Sequence, residues 1–158
     1  MFQNPWRIGG TRSNLIVSCG NQINLLNEGK IVFEHELFSP ICSLSMNSPW
    51  SSPRAILGME RGIAVQYLRS TDDYRTCVLD RELQSPRGCF LPSGQILVAH
   101  QAGVNLYSVR GNRSTMDGTY RHKGSPITIA AVETDELFVW TLTTSGILQK
   151  WPSGRNGR

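Results

Sequence analysis

The stretch "QAGVNLYSV", residues 101–109, places a glycine turn before an alternating run of apolar and polar residues. Alternation with a period of two indicates a half-buried β-strand, so the stretch predicts a hairpin turn followed by the second strand of the hairpin. Whether this hairpin occurs once or is repeated decides the fold, because a regular repeat of several strands stacks one sheet after another.

Three other segments share the pattern of an apolar strand, a short turn and an alternating strand. The four hairpins occupy residues 14–28, 54–68, 95–109 and 137–151. The steps between them are 40, 41 and 43 residues, measured at the first apolar residue after each turn: Ile23, Ile63, Val104 and Ile147. A period near 40 residues with several strands per unit is typical of propeller blades. No segment keeps the apolar spacing of a helix beyond two turns, which argues against a helical repeat.

Additional strands complete these units. Ser-Pro pairs at 39–40, 85–86 and 125–126 precede further apolar runs, and proline suits a junction between strands because it lacks an N–H group. The sequence therefore predicts an all-β fold, a β-propeller of four-stranded antiparallel blades with about four blades. The approximate blades are 5–38, 39–84, 85–124 and 125–152 within a single propeller segment, followed by a flexible tail at 153–158.

The two ends of the repeat leave the closure of the ring open. The first unit has only a doubtful first strand in "PWRIGG" (5–10), and the last unit has no fourth strand. In one interpretation, the N-terminal segment supplies the outer strand of the last blade and closes a small ring. Four blades are the low end of the propeller range, and we favour a partial ring because the second and third strands of these units resemble those of larger rings. Such a ring would be completed by another chain, by a second copy, or by a further part of the same protein.

The charge and cysteine content narrow the class of function. The 158 residues carry a net charge of +4, and only three of the 16 basic residues are lysine. Arginine binds carboxylates and phosphates bidentately, which suits acidic protein partners or nucleic acid. The four cysteines show no C-x-x-C spacing, and neither a signal core nor a long apolar run is present. We expect a soluble protein of the cytoplasm or nucleus, with no metal, no cofactor and no membrane contact.

The units resemble the blades of WD-repeat β-propellers. "HKGSPITIAAV" (122–132) is similar to the histidine, loop and first strand of that family, and "TTSGILQKWP" (143–152) to its second turn and third strand. Tyr67 and Tyr107 lie near the position of the family's tryptophan, although no unit has the Trp-Asp pair. The resemblance implies a non-catalytic scaffold or adaptor for protein–protein interaction within a larger complex, such as a substrate-recognition subunit of a ubiquitin ligase.

In such a propeller the loops between the second and third strands, and those between blades, meet on one face where partners dock. Basic residues in these loops predict an acidic or phosphorylated protein segment as the partner. The loop "MNSPWSSPR" (46–54) adds an exposed tryptophan that would serve as an interface anchor or as a lid over the blade edge. The predicted partner-binding residues are Trp50, Arg61, Arg87, His100, Gln101, Arg121, His122 and Lys123.

Two other classes of function stay open at this point. A nucleic-acid-binding module fits the positive charge, but no basic stripe with interleaved aromatic residues supports it. A propeller-fold enzyme would depend on His100 or His122, yet no Ser/His/Asp set, phosphate-binding loop or third metal ligand accompanies them. The sequence therefore favours a protein that is not an enzyme, with no catalytic residues.

Overall fold

The computed structural model describes residues 6–10, 14–46, 53–69, 73–91, 93–121, 129–134, 138–143 and 145–152. Every regular element in this part of the chain is a β-strand. The strands form four antiparallel sheets, and each sheet is built from strands that follow one another in the sequence. This arrangement confirms the predicted all-β class.

The spatial order of the strands in each sheet follows their order in the chain. The first sheet contains β1 (Trp6–Gly10), β2 (Asn14–Cys19), β3 (Gln22–Asn27) and β4 (Lys30–Glu36). The second contains β5 (Ile41–Met46), β6 (Arg54–Met59), β7 (Arg61–Tyr67) and β8 (Thr76–Gln84). The third contains β9 (Arg87–Phe90), β10 (Ile96–His100), β11 (Gly103–Arg110) and β12 (Arg113–Arg121). The fourth contains β13 (Ile129–Thr134), β14 (Phe138–Thr143) and β15 (Leu148–Pro152).

The burial of the strands explains their different sequence patterns. In β2, Ile16 and Ser18 are buried while Leu15 is exposed, which is the alternation expected of a sheet with one covered face. Strands β6 and β7 are instead buried almost throughout, because the second sheet has a neighbour on each side. A nearly continuous apolar run, as in "RAILGM", is therefore the mark of an interior sheet.

The hydrophobic core lies between successive sheets in three clusters. The first joins the first and second sheets through Ile16, Ile23, Leu25, Leu57, Met59 and their neighbours. The second joins the second and third sheets through Ile56, Ile63, Val65, Ile96 and Val98. The third covers the opposite face of the third sheet with Cys89, Leu91, Leu97, Ala99 and Val104. Glycine permits the close approach of the sheets, since a β-carbon at Gly88 would lie 2.7 Å from Cγ2 of Ile56.

The first strand of each sheet contacts the first strand of the next. These contacts run from β1 to β5, from β5 to β9 and from β9 to β13. Within the described strands, no comparably extensive contact joins β13 back to β1. Among the described residues, the four sheets therefore form an open series with one free face on the first sheet and one on the fourth.

One expectation about the ends of the chain needs correction. Residues 6–10, which looked like a doubtful strand, form β1 and pair along their whole length with β2, from Trp6 opposite Cys19 to Gly10 opposite Leu15. These residues therefore belong to the first sheet and do not supply an outer strand to the fourth. The fourth sheet has three strands within the described ranges, and the predicted flexible tail at 153–158 lies outside them.

Candidate functional site

One end of the sheets carries the turns β2–β3, β6–β7 and β10–β11, and we call this end the upper face. The pairing registers place the beginnings of the first strands at the same end. Arg7 of β1 lies opposite Ser18, one residue before the end of β2, and Arg87 of β9 lies opposite Ala99, one residue before the end of β10. Arg7 and Arg87 therefore occupy equivalent positions in the first and third sheets.

Backbone hydrogen bonds hold the loops of the upper face together. The amide of Ile41 donates to the carbonyl oxygen of Gly20 at 2.8 Å, which ties the start of β5 to the β2–β3 turn. The amide of Glu60 donates to Pro40 at 2.8 Å, and the carbonyl of Glu60 accepts from Ser85 at 2.8 Å. The β2–β3 and β6–β7 turns are thus bonded to connections between sheets, which fixes the backbone of this part of the upper face.

Five of the predicted partner-binding residues lie on this face. Arg61 begins β7, His100 ends β10, and Gln101 follows in the turn. Arg87 and Arg121 were predicted in connecting loops, but Arg87 is the first residue of β9 and Arg121 the last of β12, opposite Gly103. The strands extend to these positions because their backbone groups pair with β10 and β11. Trp50, His122 and Lys123 lie outside the described residues.

The charge of Arg61 is directed at a neighbouring carboxylate. Its guanidinium forms an ion pair with Glu82, and its backbone amide donates to Oγ of Ser39 at 3.1 Å. Arg81 also has a local partner, because its guanidinium lies 4.6 Å from the centre of the Phe38 ring. The positive charge that the sequence indicates for this face is therefore partly neutralised, because Glu82 pairs with Arg61.

His100 is engaged with its own turn. Its Nδ1 atom accepts a hydrogen bond of 3.3 Å from the backbone amide of Ala102, which requires that nitrogen to be unprotonated. This bond stabilises the β10–β11 turn in the way that short polar side chains commonly do. Among the described residues, no group of three metal-ligating side chains includes it.

The two equivalent arginines lie on the strands at either side of β5, which carries Cys42. Cys42 lies at the bulge of β5 between Ile41 and Ser43, where the pairing with β6 shifts register. Burial raises the pKa of the Cys42 thiol, Arg87 and Arg7 oppose that rise through their positive charge, and Glu60 adds to it. Both guanidinium groups therefore lie within electrostatic reach of one thiol, from β1 on one side of β5 and from β9 on the other.

Arg7 and Arg87 also have buried nitrogen atoms without hydrogen-bond acceptors. Within the described part of the chain, Nε of Arg7 and Nη1 of Arg87 are buried and find no partner. Arg87 was among the residues predicted from the sequence, but Arg7 was not, because the first strand of the first unit looked doubtful. Cys42 was not predicted either, since the bulge at this position of β5 shows no local sequence signal. The available signal was an arginine near the start of two first strands, in "WRIGG" and "RGCF".

No known protein family and no curated protein matches the sequence. In structure, the chain is similar to the computationally designed Ika4 protein, with a TM-score of 0.71 and 12% identity over 98% of this chain and 94% of that one. It is also similar to Hsv2 of Kluyveromyces lactis, with a TM-score of 0.68 and 8% identity over 95% of this chain and 49% of that one.

Two fission yeast structures are similar as well. The WD40 domain of SCAP matches with a TM-score of 0.53 and 12% identity, over 87% of this chain and 39% of that one. The complex of the SREBP–SCAP binding domains matches with a TM-score of 0.60 and 10% identity, over 96% and 50%. The chain thus spans about half the length, or less, of the Hsv2 and SCAP chains it matches. These likenesses confirm the β-propeller fold, and they include a WD40 domain.

No helix in the described part of the chain is long and apolar enough to cross a membrane. All four cysteines are free thiols, with Cys77 and Cys89 buried and Cys19 and Cys42 partly exposed.

Proposed function

We propose that the protein is a non-catalytic scaffold for protein–protein interaction, and that its two free sheet faces are completed by a second copy of the chain. The observation that supports this is the open series of sheets, in which β13 makes no extensive contact with β1 among the described strands. The similar propeller structures support an interaction role in general, since one of them is a complex of binding domains. A part in a ubiquitin ligase would be one instance of such a role, and it stays a prediction.

The free face of the first sheet is apolar at its centre. The face that carries Arg7 and Ile16 packs on the second sheet. The alternate residues of β1 and β2 therefore lie on the other face, away from the second sheet. Ile8 is 69% exposed and Leu15 39% exposed on this free face. Glu34 and Glu36 of β4 lie on the same face, opposite Asn24 and Gln22 in the pairing of β3 with β4.

The free face of the fourth sheet is also apolar at its centre. Thr141 is fully buried, while Leu142 and Leu148 lie opposite each other on the other face and are 38% and 60% exposed. Lys150 lies on this face too, with its ammonium nitrogen 5.2 Å from the centre of the Trp140 ring. Large exposed apolar side chains on a sheet face are typical of a surface that another protein covers.

A second copy fits both faces at once. The apolar centre of one first sheet would pack on the apolar centre of the fourth sheet of the other copy, in the same sequence of sheets that the chain already uses internally. Two such joints close a ring of about eight sheets, within the usual range for propellers. The half-length match to Hsv2 agrees with this arrangement, because a second copy would supply the other half.

The test is the molecular mass in solution, measured by light scattering over a range of concentrations. The expected mass is twice the 17.6 kDa of the chain. Leu15→Glu on the first sheet and Leu148→Glu on the fourth should each prevent the closed dimer. Because the joint is head to tail, a mixture of the two variants should still form one joint through the two unaltered faces.

Met116→Glu is the matched control, since Met116 is 55% exposed on β12 of the third sheet, away from both free faces. This variant should remain dimeric. A wild-type chain that is monomeric throughout the concentration range would overturn the second-copy assignment. So would equal dimerisation of Leu15→Glu, Leu148→Glu and Met116→Glu.

A further inference from the structure

We propose that Arg7 and Arg87 form a binding site for an oxyanion, a carboxylate or phosphate carried by an acidic peptide segment, above the β5 bulge at Cys42. This site goes beyond the proposed function and does not depend on it, because Arg7 faces the second sheet and not the free face of the first. The evidence for the site is the position of the two arginines and the burial of guanidinium nitrogens that have no acceptor among the described residues.

The positions follow from the register of the sheets. Arg7 and Arg87 occupy equivalent places on β1 and β9, and β5 contacts both of these strands. Cys42 lies on β5 between these two strands, and both guanidinium groups act electrostatically on its thiol. Like charges on either side of one strand repel each other, and an anion placed between them offsets the repulsion.

The hydrogen-bonding state of the arginines points the same way. Arg7 Nε and Arg87 Nη1 are buried and lack acceptors within the described residues, whereas Arg61 on the rim is paired with Glu82. A buried charged donor without an acceptor is costly to keep, and a carboxylate or phosphate oxygen is its strongest partner. Both side chains are only partly buried, so a ligand can approach from the upper face.

The surroundings favour a peptide over a free ion. The upper face has a fixed backbone from the hydrogen bonds at Gly20, Pro40 and Glu60, and it presents the turn at Gln101 beside Arg87. Glu60 is the carboxylate that acts on Cys42, and its side chain is exposed. Among the described residues, it does not provide an acceptor for the buried Nε of Arg7 or Nη1 of Arg87. An extended segment that places one acidic side chain between the arginines would have polar backbone on either side.

The experiment measures binding of fluorescent peptides of equal length by anisotropy. One peptide carries a central glutamate pair, one a phosphoserine and one a serine. Comparison of the glutamate peptide with the phosphoserine peptide shows whether the site binds a carboxylate or a phosphate, and the serine peptide should not bind. Arg7→Gln and Arg87→Gln should each weaken binding by about tenfold or more, the usual loss for one charge-assisted hydrogen bond.

Two arginines serve as matched controls. Arg61→Gln removes a charge on the same face that is already paired with Glu82, and Arg113→Gln removes an exposed charge at the opposite end of the third sheet. Both should bind as the wild type does. The site assignment is wrong if the wild type binds neither acidic peptide, or if all four variants lose affinity equally. An oligonucleotide that binds as tightly as the phosphopeptide would overturn the assignment to a peptide.

A second measurement does not depend on the folding of any variant. A bound anion shields Cys42 from its two arginines and covers it, so an acidic peptide should slow alkylation of Cys42 in the wild-type chain, followed by peptide mass spectrometry. Cys19, which lies on the opposite face of β2 from Ser18, should be alkylated at the same rate with and without peptide. An unchanged rate at Cys42 with saturating peptide contradicts the proposed site.

Discussion

Gly58 lies so close to Pro86 that a β-carbon at position 58 would overlap the carbonyl oxygen of Pro86, and also the hydroxyl of Ser43. Gly58 belongs to β6 of the second sheet, and Pro86 immediately precedes β9 of the third. The spacing between these two sheets at the upper face therefore depends on the missing side chain. The same spacing sets how near Arg87 comes to Cys42.

Gly58→Ala should lower the free energy of unfolding by about 1–3 kcal/mol, the usual cost of forcing extra volume into a packed interior. Urea denaturation of the purified variant measures this change. Gly118→Ala is the control, because a β-carbon there meets no atom within 4 Å. Its unfolding free energy should stay near the wild-type value, and an equal loss in both variants would show that packing at Gly58 is not the cause.

Gln66→Leu should destabilise the second sheet through its hydrogen bonds. Gln66 is fully buried, and its side-chain nitrogen donates to the carbonyls of Tyr67 at 2.9 Å and Tyr74 at 2.6 Å. Leucine leaves these oxygens without that donor, at a cost of about 1–3 kcal/mol. The matched control is Gln84→Leu at an exposed position of β8, which should change the unfolding free energy little. Equal effects would contradict the role of the buried amide.

Asp117 should make stability depend on pH. Hydrogen bonds from Ser108 and from Gln95, the latter at 2.8 Å, hold the pKa of its carboxyl below the ordinary value of 3.8. The unfolded chain then binds more protons between the two pKa values. The stabilisation is therefore present above 3.8 and is lost as the pH falls through the folded pKa. The effect is small, because the carboxylate is exposed and screened by solvent.

Urea denaturation of Asp117→Asn and the wild type, from neutral pH to about pH 2, checks this prediction. The difference in unfolding free energy between the two should be largest at neutral pH and should shrink under acid. Glu28→Gln controls for the loss of one exposed negative charge on another sheet, in the turn between β3 and β4. A difference between wild type and Asp117→Asn that does not change with pH would contradict the assignment.

Cys77 should be far less reactive than Cys42 in the folded protein. Cys77 is 2% exposed, and burial raises the pKa of its thiol, with a weaker opposing effect from Ser114. Alkylation requires an accessible thiolate, so Cys77 reacts only when β7 and β8 open, whereas Cys42 is partly exposed. We expect the rate at Cys77 to be at least about tenfold below that at Cys42, as measured by peptide mass spectrometry. In urea the two rates should become similar, and similar rates without urea would contradict this prediction.

The hairpins were predictable because their information is local. The turn at 101–102 and the alternating strand after it appear as the β10–β11 hairpin, with His100 opposite Gly103. Strand β1 was harder to recognise, because "WRIGG" has little apolar alternation and two glycines. It forms a strand because β2 offers it a full row of backbone partners, and because Gly9 accommodates Leu44 and Met46 of the next sheet.

The candidate site was predictable only in part. The placement of Arg61, Arg87, His100 and Gln101 at one end follows from the order of strands within each unit, which the sequence shows. The hydrogen-bond and ion-pair partners of these side chains do not follow from the order of the strands. Arg61 is paired with Glu82 across two strands of one sheet, and His100 is bonded to its own turn. Arg87 instead has a buried nitrogen that finds no acceptor among the residues that the structure describes.

The sequence by itself determined that the chain is a series of antiparallel β units with a period near 40 residues, since strand alternation and turn residues act between near neighbours along the chain. Only the tertiary structure decided that β1 belongs to the first sheet, that two sheet faces stay open among the described strands, and that Arg7 and Arg87 lie on strands at either side of the one that carries Cys42. Those relationships join residues far apart in the chain. They depend on the spacing between packed sheets, which no local pattern specifies.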